Sequence, residues 1–200
     1  KGKGLGIGIL GNPDKLTDGI AKKLKESGVL GYQISIDGME KTHDSLRGRE
    51  GAFKEAIKAI HVLNKAGLPS VVMFTLSKAN SSELLNVIRL VAKEKVCRFD
   101  FARLVPIGTG EELREQILAP NEYRELLLKV LECYQKLNER GYQTYFGRKD
   151  HLWNLLNSEL ELIGTLPKNR EMIYSGCSIG INILTILADG SVLPCRRLPM

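Results

Sequence analysis

The sequence predicts an α/β protein in which helices cover a parallel sheet. Stretches with strand character begin near residues 5, 32, 70 and 98, which gives units of about 27 to 38 residues. Amphipathic helical patterns separate these stretches, and such βα alternation is typical of parallel sheets. The run Pro69–Leu76 is almost continuously apolar, as expected for a strand buried on both faces.

The predicted elements follow in order along the chain. Gly28, Gly67 and Gly141 are candidate helix ends, and Asn80 or Ser81 is a candidate cap for the helix that follows. The pattern predicts strands over Leu5–Leu10, Gly31–Asp37, Pro69–Leu76 and Arg98–Leu104, and helices over Asp14–Glu26, Gly51–Ala66 and Pro120–Arg140, with another helix after Ser81.

The strand Gly31–Asp37 alternates apolar and polar residues. In a sheet covered by helices, the polar face of such a strand points into a barrel or a crevice. Asp37-Gly38 predicts a turn, and a loop is expected to carry His43, Asp44 and Arg47 above the carboxyl end of the strand.

Composition excludes several classes of function. The net charge is +6, and its Lys and Arg residues lie mostly beside Glu on predicted helices. Only 6% of residues are aromatic, so the sequence does not support nucleic-acid binding. The sequence has neither an apolar run of membrane-spanning length nor a signal peptide, which predicts no membrane association and, by default, a cytoplasmic location.

The four cysteines are Cys97, Cys133, Cys177 and Cys195. In a cytosolic protein they are expected to be core thiols or metal ligands rather than disulfides. Cys97 and Cys133 are predicted to be packing residues. Cys177 and Cys195 flank a predicted two-residue hairpin whose turn is Asp189-Gly190.

The segments ISIDG and HDSLRG, followed by a Gly-Ala-Phe helix start, resemble the fourth strand and following loop of radical S-adenosylmethionine (radical SAM) enzymes. The resemblance is greatest to the subgroup with a SPASM-type extension. It implies a partial radical SAM-type (β/α) barrel, with Ser35 and Arg47 against the ribose and carboxylate end of S-adenosylmethionine. Asn12, in a strand-end turn, and Asp37 complete the predicted cofactor-binding set.

The carboxyl-terminal segment resembles the first element of SPASM domains. Cys177 is followed by twelve residues, Gly190, four residues and Cys195. By that resemblance, Cys177 and Cys195 are predicted ligands of an auxiliary iron–sulfur cluster. The predicted domains are a partial barrel (1–141), a helical connector (142–174) and the start of a SPASM-like domain with its β-hairpin (175–200).

The sequence also departs from that family. It contains no C-x3-C-x2-C loop, which holds the radical SAM [4Fe–4S] cluster in the family. We therefore expect an internal fragment of a longer enzyme, inactive by itself and with an open sheet edge. No catalytic acid or base is assigned, although Asp37 and Asp100 occupy strand positions that can face the lumen.

The resemblance implies that the intact enzyme cleaves S-adenosylmethionine reductively and modifies a peptide or protein substrate. The implied electron donor is a flavodoxin or a ferredoxin. Two alternatives stay open. One is an unrelated α/β-barrel metal-dependent enzyme, which the placement of His43, His61 and His151 fits poorly, and the other is a non-catalytic binding scaffold.

Overall fold

The computed structural model describes residues 6–106, 108–148, 152–161, 184–187 and 189–194. The chain divides into two compact units. The first comprises Lys1–Leu104 and Gln116–Asp150, and the second comprises Val105–Glu115 and His151–Met200.

The first unit is built on a five-stranded sheet with the strand order β1-β2-β3-β4-β5. Every pair of neighbouring strands is parallel, which confirms the predicted α/β class. Its strands are β1 (Ile7–Leu10), β2 (Val29–Ser35), β3 (Ser70–Leu76), β4 (Arg98–Arg103) and β5 (Tyr145–Phe146). Its helices are α1 (Asp18–Glu26), α2 (Glu40–Arg47), α3 (Ala52–Lys65), α4 (Leu84–Lys93) and α5 (Pro120–Glu139), with a 3₁₀ turn at Ser81–Glu83.

The two faces of the sheet have different characters, because side chains alternate along each strand. One face is buried and apolar except at Ser70, and its central members are Ile34, Val72, Phe74, Phe99 and Phe101. The other face carries Ser35, Met73 and Asp100 in register across β2, β3 and β4. The polar alternation predicted for the second strand therefore places Ser35 opposite the apolar core.

Strand β1 forms one edge of the described sheet. It pairs with β2 alone, and Ile7 and Leu10 are exposed. At the other edge, β5 pairs with β4 in the register Arg98 to Tyr145 and Phe99 to Phe146.

The prediction of a loop after the second strand is wrong, because helix α2 spans most of that segment. A residue distant in the sequence stabilises this helix. Glu83 accepts hydrogen bonds from the Met39 N–H at 2.7 Å and the Thr42 hydroxyl at 2.8 Å, which anchors the first turn. Gly48 then ends the helix in the left-handed conformation that glycine favours.

Asn80 has a different role from the predicted helix cap. Its side chain makes no capping bond and is buried between the ends of β2 and β3. The amide nitrogen donates to the carbonyls of Asp37 and Thr75, each at 2.9 Å, and Oδ1 accepts from the Ser77 N–H at 2.8 Å. Asn80 therefore ties the two strand ends together.

The predictions for Cys133 and Cys97 have different outcomes. Cys133 is buried in α5, where burial raises the pKa of its thiol, as expected of a packing residue. The prediction for Cys97 is wrong, because this residue is exposed just before β4.

The second unit contains α6 (Leu152–Glu159), β6 (Thr185–Ile186) and β7 (Val192–Leu193). Strands β6 and β7 are antiparallel, which confirms the predicted hairpin. The Leu187 N–H donates to the Ser191 carbonyl at 2.9 Å, so three residues rather than two form the loop. Gly190 takes the positive φ of 87° that a loop of this length commonly needs. Residues 108–116 form a 3₁₀ segment.

Among the described residues, no helix has the length and apolar character needed to cross a membrane.

We predict that Asn80→Ala lowers the free energy of unfolding by about 2–4 kcal/mol, because several buried groups lose their partners. Urea unfolding followed by circular dichroism measures this loss. Asn86→Ala, at an exposed position of α4, is the matched control and should be neutral or slightly stabilising. Equal effects of the two substitutions would contradict the role of Asn80.

Candidate functional site

A pocket of about 190 Å³ lies at the carboxyl ends of β1 and β2. In open parallel sheets this end of the strands is where ligands bind. The wall is formed by the turn after β1, the last residue of β2, helix α2 and the start of α3. Its residues are Gly11, Asn12, Pro13, Asp14, Ser35, His43, Arg47, Arg49 and Ala52.

Asp37 lies beneath the pocket and uses every polar group it has. Its carboxylate accepts from the Thr75 N–H at 2.7 Å and from the Arg47 guanidinium. Its own N–H donates to Nδ1 of His43 at 3.0 Å, and its carbonyl accepts from Asn80 at 2.9 Å. The residue is only 6% exposed, so these bonds replace the water that a free carboxylate would need.

Arg47 reaches the pocket from the last turn of α2. Its side chain is about two-fifths exposed, whereas its partner Asp37 is almost fully buried. A guanidinium has five N–H donors, and the bond to Asp37 uses one of them. The pair therefore fixes the side chain and leaves donors for a ligand.

His43 is the buried residue of α2 and is 2% exposed. Its Nδ1 accepts the Asp37 N–H, and its ring lies edge-on to Phe53 with centroids 6.1 Å apart. Burial is the main cause that lowers the pKa of His43, and the positive charge of Arg47 adds to it. Both effects favour the neutral form of the imidazole.

Asp44 joins α2 to α3. Its carboxylate accepts from the N–H groups of Gly51 at 2.7 Å and Phe53 at 2.8 Å, at the beginning of α3. These backbone hydrogen bonds, that of Phe53 first, lower the pKa of Asp44. The residue thus caps α3 and holds the two helices at the mouth of the pocket.

The turn after β1 is held by Tyr32. Its hydroxyl donates to the Asn12 carbonyl at 2.9 Å. A Cβ on Gly11 would lie 2.1 Å from the same hydroxyl oxygen, so only glycine fits. This contact places Asn12, which is exposed, at the pocket.

Charged residues form the rim. Arg49 pairs with Asp14 at 2.9 Å and with Glu55 at 2.7 Å. Both carboxylates help to raise the pKa of Arg49, with the hydrogen bond to Glu55 first. These pairs are exposed, so they contribute orientation more than stability.

The structure brings together three of the predicted cofactor-binding residues, Ser35, Arg47 and Asn12, in one pocket wall. Asp37 does not line the pocket and contacts Arg47 from below. Sequence reasoning gave no site role to Asp14 or Arg49, and it placed His43 above the strand end without assigning it a ligand contact. His43 lies three residues after the start of a segment long enough to form a helix. The turn predicted at Asp37-Gly38 led to the prediction of a loop there instead.

The predicted cluster ligands Cys177 and Cys195 lie outside the described residues, and so does His151. Within the described part of the chain, no three His, Cys, Asp or Glu side chains are grouped closely enough to hold a metal ion. His61 is exposed and contacts Glu94 at 2.6 Å. Asp100, on the same face as Ser35, is bound by Arg98 at 2.6 Å and 3.2 Å.

This arrangement defines an α/β protein with a polar ligand pocket at the carboxyl ends of its parallel strands. Residues 1–91 match the family model described as the radical SAM superfamily. This match covers 91 of the 200 residues.

Two curated relatives show how far the similarity extends. Fe-coproporphyrin III synthase of Methanosarcina barkeri is 29% identical over 196 residues, which are 95% of this chain and 49% of that protein. The sporulation killing factor maturation protein SkfB of Bacillus subtilis is 28% identical over 191 residues, covering 95% of this chain and 42% of that protein. The chain thus spans about half the length of the curated relatives it matches.

Among solved structures, SuiB of Streptococcus suis superposes with a TM-score of 0.70 at 18% identity, over 94% of this chain and 43% of that chain. This likeness supports the fold, a parallel sheet covered by helices.

The two cofactors of that family fit the described residues differently. The pocket offers a serine hydroxyl and a partly exposed guanidinium, which suits the oxygen-rich end of S-adenosylmethionine. Its volume is below the roughly 300–1,000 Å³ usual for a complete ligand site, so it would hold part of the cofactor. The described residues do not fit a [4Fe–4S] cluster, because they supply no set of thiolates.

We predict that stability falls as the pH drops below about 6.5, the usual histidine pKa in an unfolded chain. Because the pKa of His43 is lowered in the fold, the unfolded chain binds a proton there before the folded chain does. The full contribution of His43 to the free energy of unfolding is present above pH 6.5. It disappears as the pH falls towards the pKa of His43 in the folded protein, with a slope of at most about 1.4 kcal/mol per pH unit. The lowered pKa of Asp44 makes stability depend on pH in a separate range, below about pH 4.

Urea unfolding between pH 7.5 and 5.5 tests this prediction. His43→Asn should flatten the slope, whereas His61→Asn retains His43 and should leave the slope in place. An equal slope in the wild-type protein and in His43→Asn would contradict the assignment.

Proposed function

We propose that this chain is the cofactor-binding part of a radical SAM enzyme of the SPASM-containing subgroup, and that the enzyme modifies a peptide or protein. The observation that carries the proposal is the convergence of Ser35, Arg47 and Asn12 on one pocket. That pocket lies within the segment that matches the radical SAM model.

The proposed contacts follow from the chemistry of each group. The Ser35 hydroxyl donates to or accepts from a ribose hydroxyl, and Arg47 pairs with the carboxylate of the methionine moiety. Asp37 positions Arg47 through its buried carboxylate. Asn12, held by Tyr32, closes the pocket on the β1 side.

S-adenosylmethionine would supply the radical chemistry of the reaction, and Ser35, Arg47 and Asn12 would hold it in the pocket. The 200 residues contain no C-x3-C-x2-C loop to hold a [4Fe–4S] cluster. The role proposed for these residues is therefore to bind and orient the cofactor. Auxiliary-cluster ligation by Cys177 and Cys195, a flavodoxin or ferredoxin as electron donor, and a cytoplasmic location remain predictions.

The names of two similar proteins support a peptide substrate. SkfB is named as the maturation protein of a sporulation killing factor, and SuiB has been crystallised with its precursor peptide SuiA. Both cover nearly all of this chain.

A tetrapyrrole is the second candidate substrate. Fe-coproporphyrin III synthase is as similar to this chain as SkfB is, at 29% against 28% identity. The two candidates share the cofactor pocket and differ only in what occupies the rest of the active site.

The cofactor half of the proposal predicts that Ser35→Ala weakens binding of S-adenosylmethionine about 3- to 10-fold and Arg47→Ala about 10- to 100-fold. The measurement is calorimetry on the natural gene product that contains these residues, reconstituted anaerobically with iron and sulfide. The yield of 5′-deoxyadenosine after addition of a reductant is the second readout.

Two exposed positions of α2 provide the controls. Ser45→Ala removes a hydroxyl and Lys41→Ala removes a cation at positions that do not line the pocket, and each variant should bind and cleave S-adenosylmethionine as the wild-type protein does. A reconstituted wild-type protein with no iron and no cleavage of S-adenosylmethionine would refute the proposal and favour the scaffold alternative.

The proposal of a peptide substrate predicts that the Soret band of Fe-coproporphyrin III stays unchanged when this compound is added to the reconstituted protein. Small peptides encoded beside the gene should instead acquire a mass change that depends on S-adenosylmethionine. A saturable Soret shift together with unmodified peptides would overturn the peptide assignment and select the tetrapyrrole.

A further inference from the structure

His43 is a polar side chain in the pocket wall with half of its hydrogen-bonding capacity in use. It is 2% exposed and lines the pocket with Ser35 and Arg47. Its Nδ1 has a partner in the Asp37 N–H, 3.0 Å away. Within the described residues, its Nε2 has no protein acceptor.

That one bond determines where the imidazole carries its proton. A backbone N–H can only donate, so Nδ1 must accept and carry no hydrogen. Burial and the nearby Arg47 keep the ring neutral. A neutral imidazole with a bare Nδ1 carries its single proton on Nε2.

The same bond limits what His43 can do. Nδ1 is occupied and cannot take a proton from a ligand or bind a metal while the contact to Asp37 persists. Contact with Phe53 and the position of His43 in α2 hold the ring in place. What remains for a ligand is one neutral N–H donor.

We infer that His43 is a ligand-binding residue whose Nε2–H donates to an oxygen of the ligand in the Ser35–Arg47 pocket. The ligand class is one that presents oxygen acceptors to three donors, a hydroxyl, a guanidinium and an imidazole N–H. The identity of the ligand as S-adenosylmethionine rests on the proposed function, and the acceptor is then its carboxylate or a ribose oxygen. The position of the proton is independent of that identity.

The proton position is measured first, by long-range ¹H–¹⁵N correlation spectra of the wild-type chain labelled at histidine. The expected result is an Nε2–H tautomer at His43, with Nδ1 at the shift of an unprotonated nitrogen. An Nδ1–H tautomer or a protonated ring at pH 7.5 would overturn the inference, whether or not any cofactor binds.

Two substitutions separate the structural bond from the ligand bond. In His43→Asn the side-chain oxygen can replace Nδ1 as the acceptor for Asp37, but nothing reaches the position of Nε2. In His43→Gln the longer amide can place an N–H₂ group near that position and gives up the geometry of the Asp37 contact. His43→Asn tests the effect of losing the N–H donor to the ligand, and His43→Gln tests whether a replacement donor restores binding.

Binding of S-adenosylmethionine to the reconstituted gene product is measured by calorimetry, with the urea midpoint as the check on folding. The expected result is binding about 10-fold weaker in His43→Asn at an unchanged urea midpoint. His43→Gln should recover most of the affinity while its urea midpoint falls. Wild-type affinity in a folded His43→Asn protein would overturn the inference.

Decarboxylated S-adenosylmethionine identifies the acceptor. If His43→Asn binds this analogue as well as the wild-type protein does, the lost bond is to the carboxylate. If the 10-fold loss persists, the bond is to a ribose oxygen. Failure of the wild-type protein to bind either compound would refute the proposed function and the cofactor assignment, while the tautomer measurement would still decide the state of His43.

Discussion

The whole site depends on the burial of one carboxylate at the end of β2. Asp37 would be costly to bury alone, and its two oxygens are satisfied by the Thr75 N–H and by Arg47. The first bond connects β2 to β3, and the second draws the end of α2 over the strand ends. Its N–H and carbonyl extend the same network to His43 and Asn80.

This network explains how a short polar segment becomes a rigid wall. Helix α2 has only eight residues and a polar composition, so its own propensity for the helix is weak. Glu83 anchors its start, Gly48 ends it, and Asp44 bonds to the first N–H groups of α3. Glu83 and the N–H groups bound by Asp44 lie outside α2, so contacts with other parts of the unit help to set the position of the wall.

The same reasoning shows what the sequence could predict. The parallel sheet followed from period-2 and period-3.6 patterns and from the nearly continuous apolar run at Ser70–Leu76, a strand in which Thr75 alone is exposed. The resemblance to radical SAM enzymes predicted Ser35, Arg47 and Asn12 as cofactor-binding residues, and the structure brings them together at the carboxyl ends of parallel strands. Helix α2 escaped prediction because its stabilising contact, Glu83, lies over forty residues away in sequence.

The partners of single side chains were also beyond the sequence. No local pattern reveals that Asn80 bonds to two strand ends, or that Tyr32 supports the turn at Asn12. Cys97 was predicted to be a packing residue at the edge of a strand, whereas it is exposed just before β4. Such outcomes depend on the three-dimensional neighbours that a residue acquires.

The most direct test of the central claim is an anaerobic crystal structure of the natural gene product with S-adenosylmethionine bound. The account predicts that the carboxylate and ribose of the cofactor lie within hydrogen-bonding distance of Arg47 and Ser35, with the pair between Arg47 and Asp37 intact beneath them. A cofactor bound elsewhere, with the Ser35–Arg47 pocket filled only by water, would contradict it.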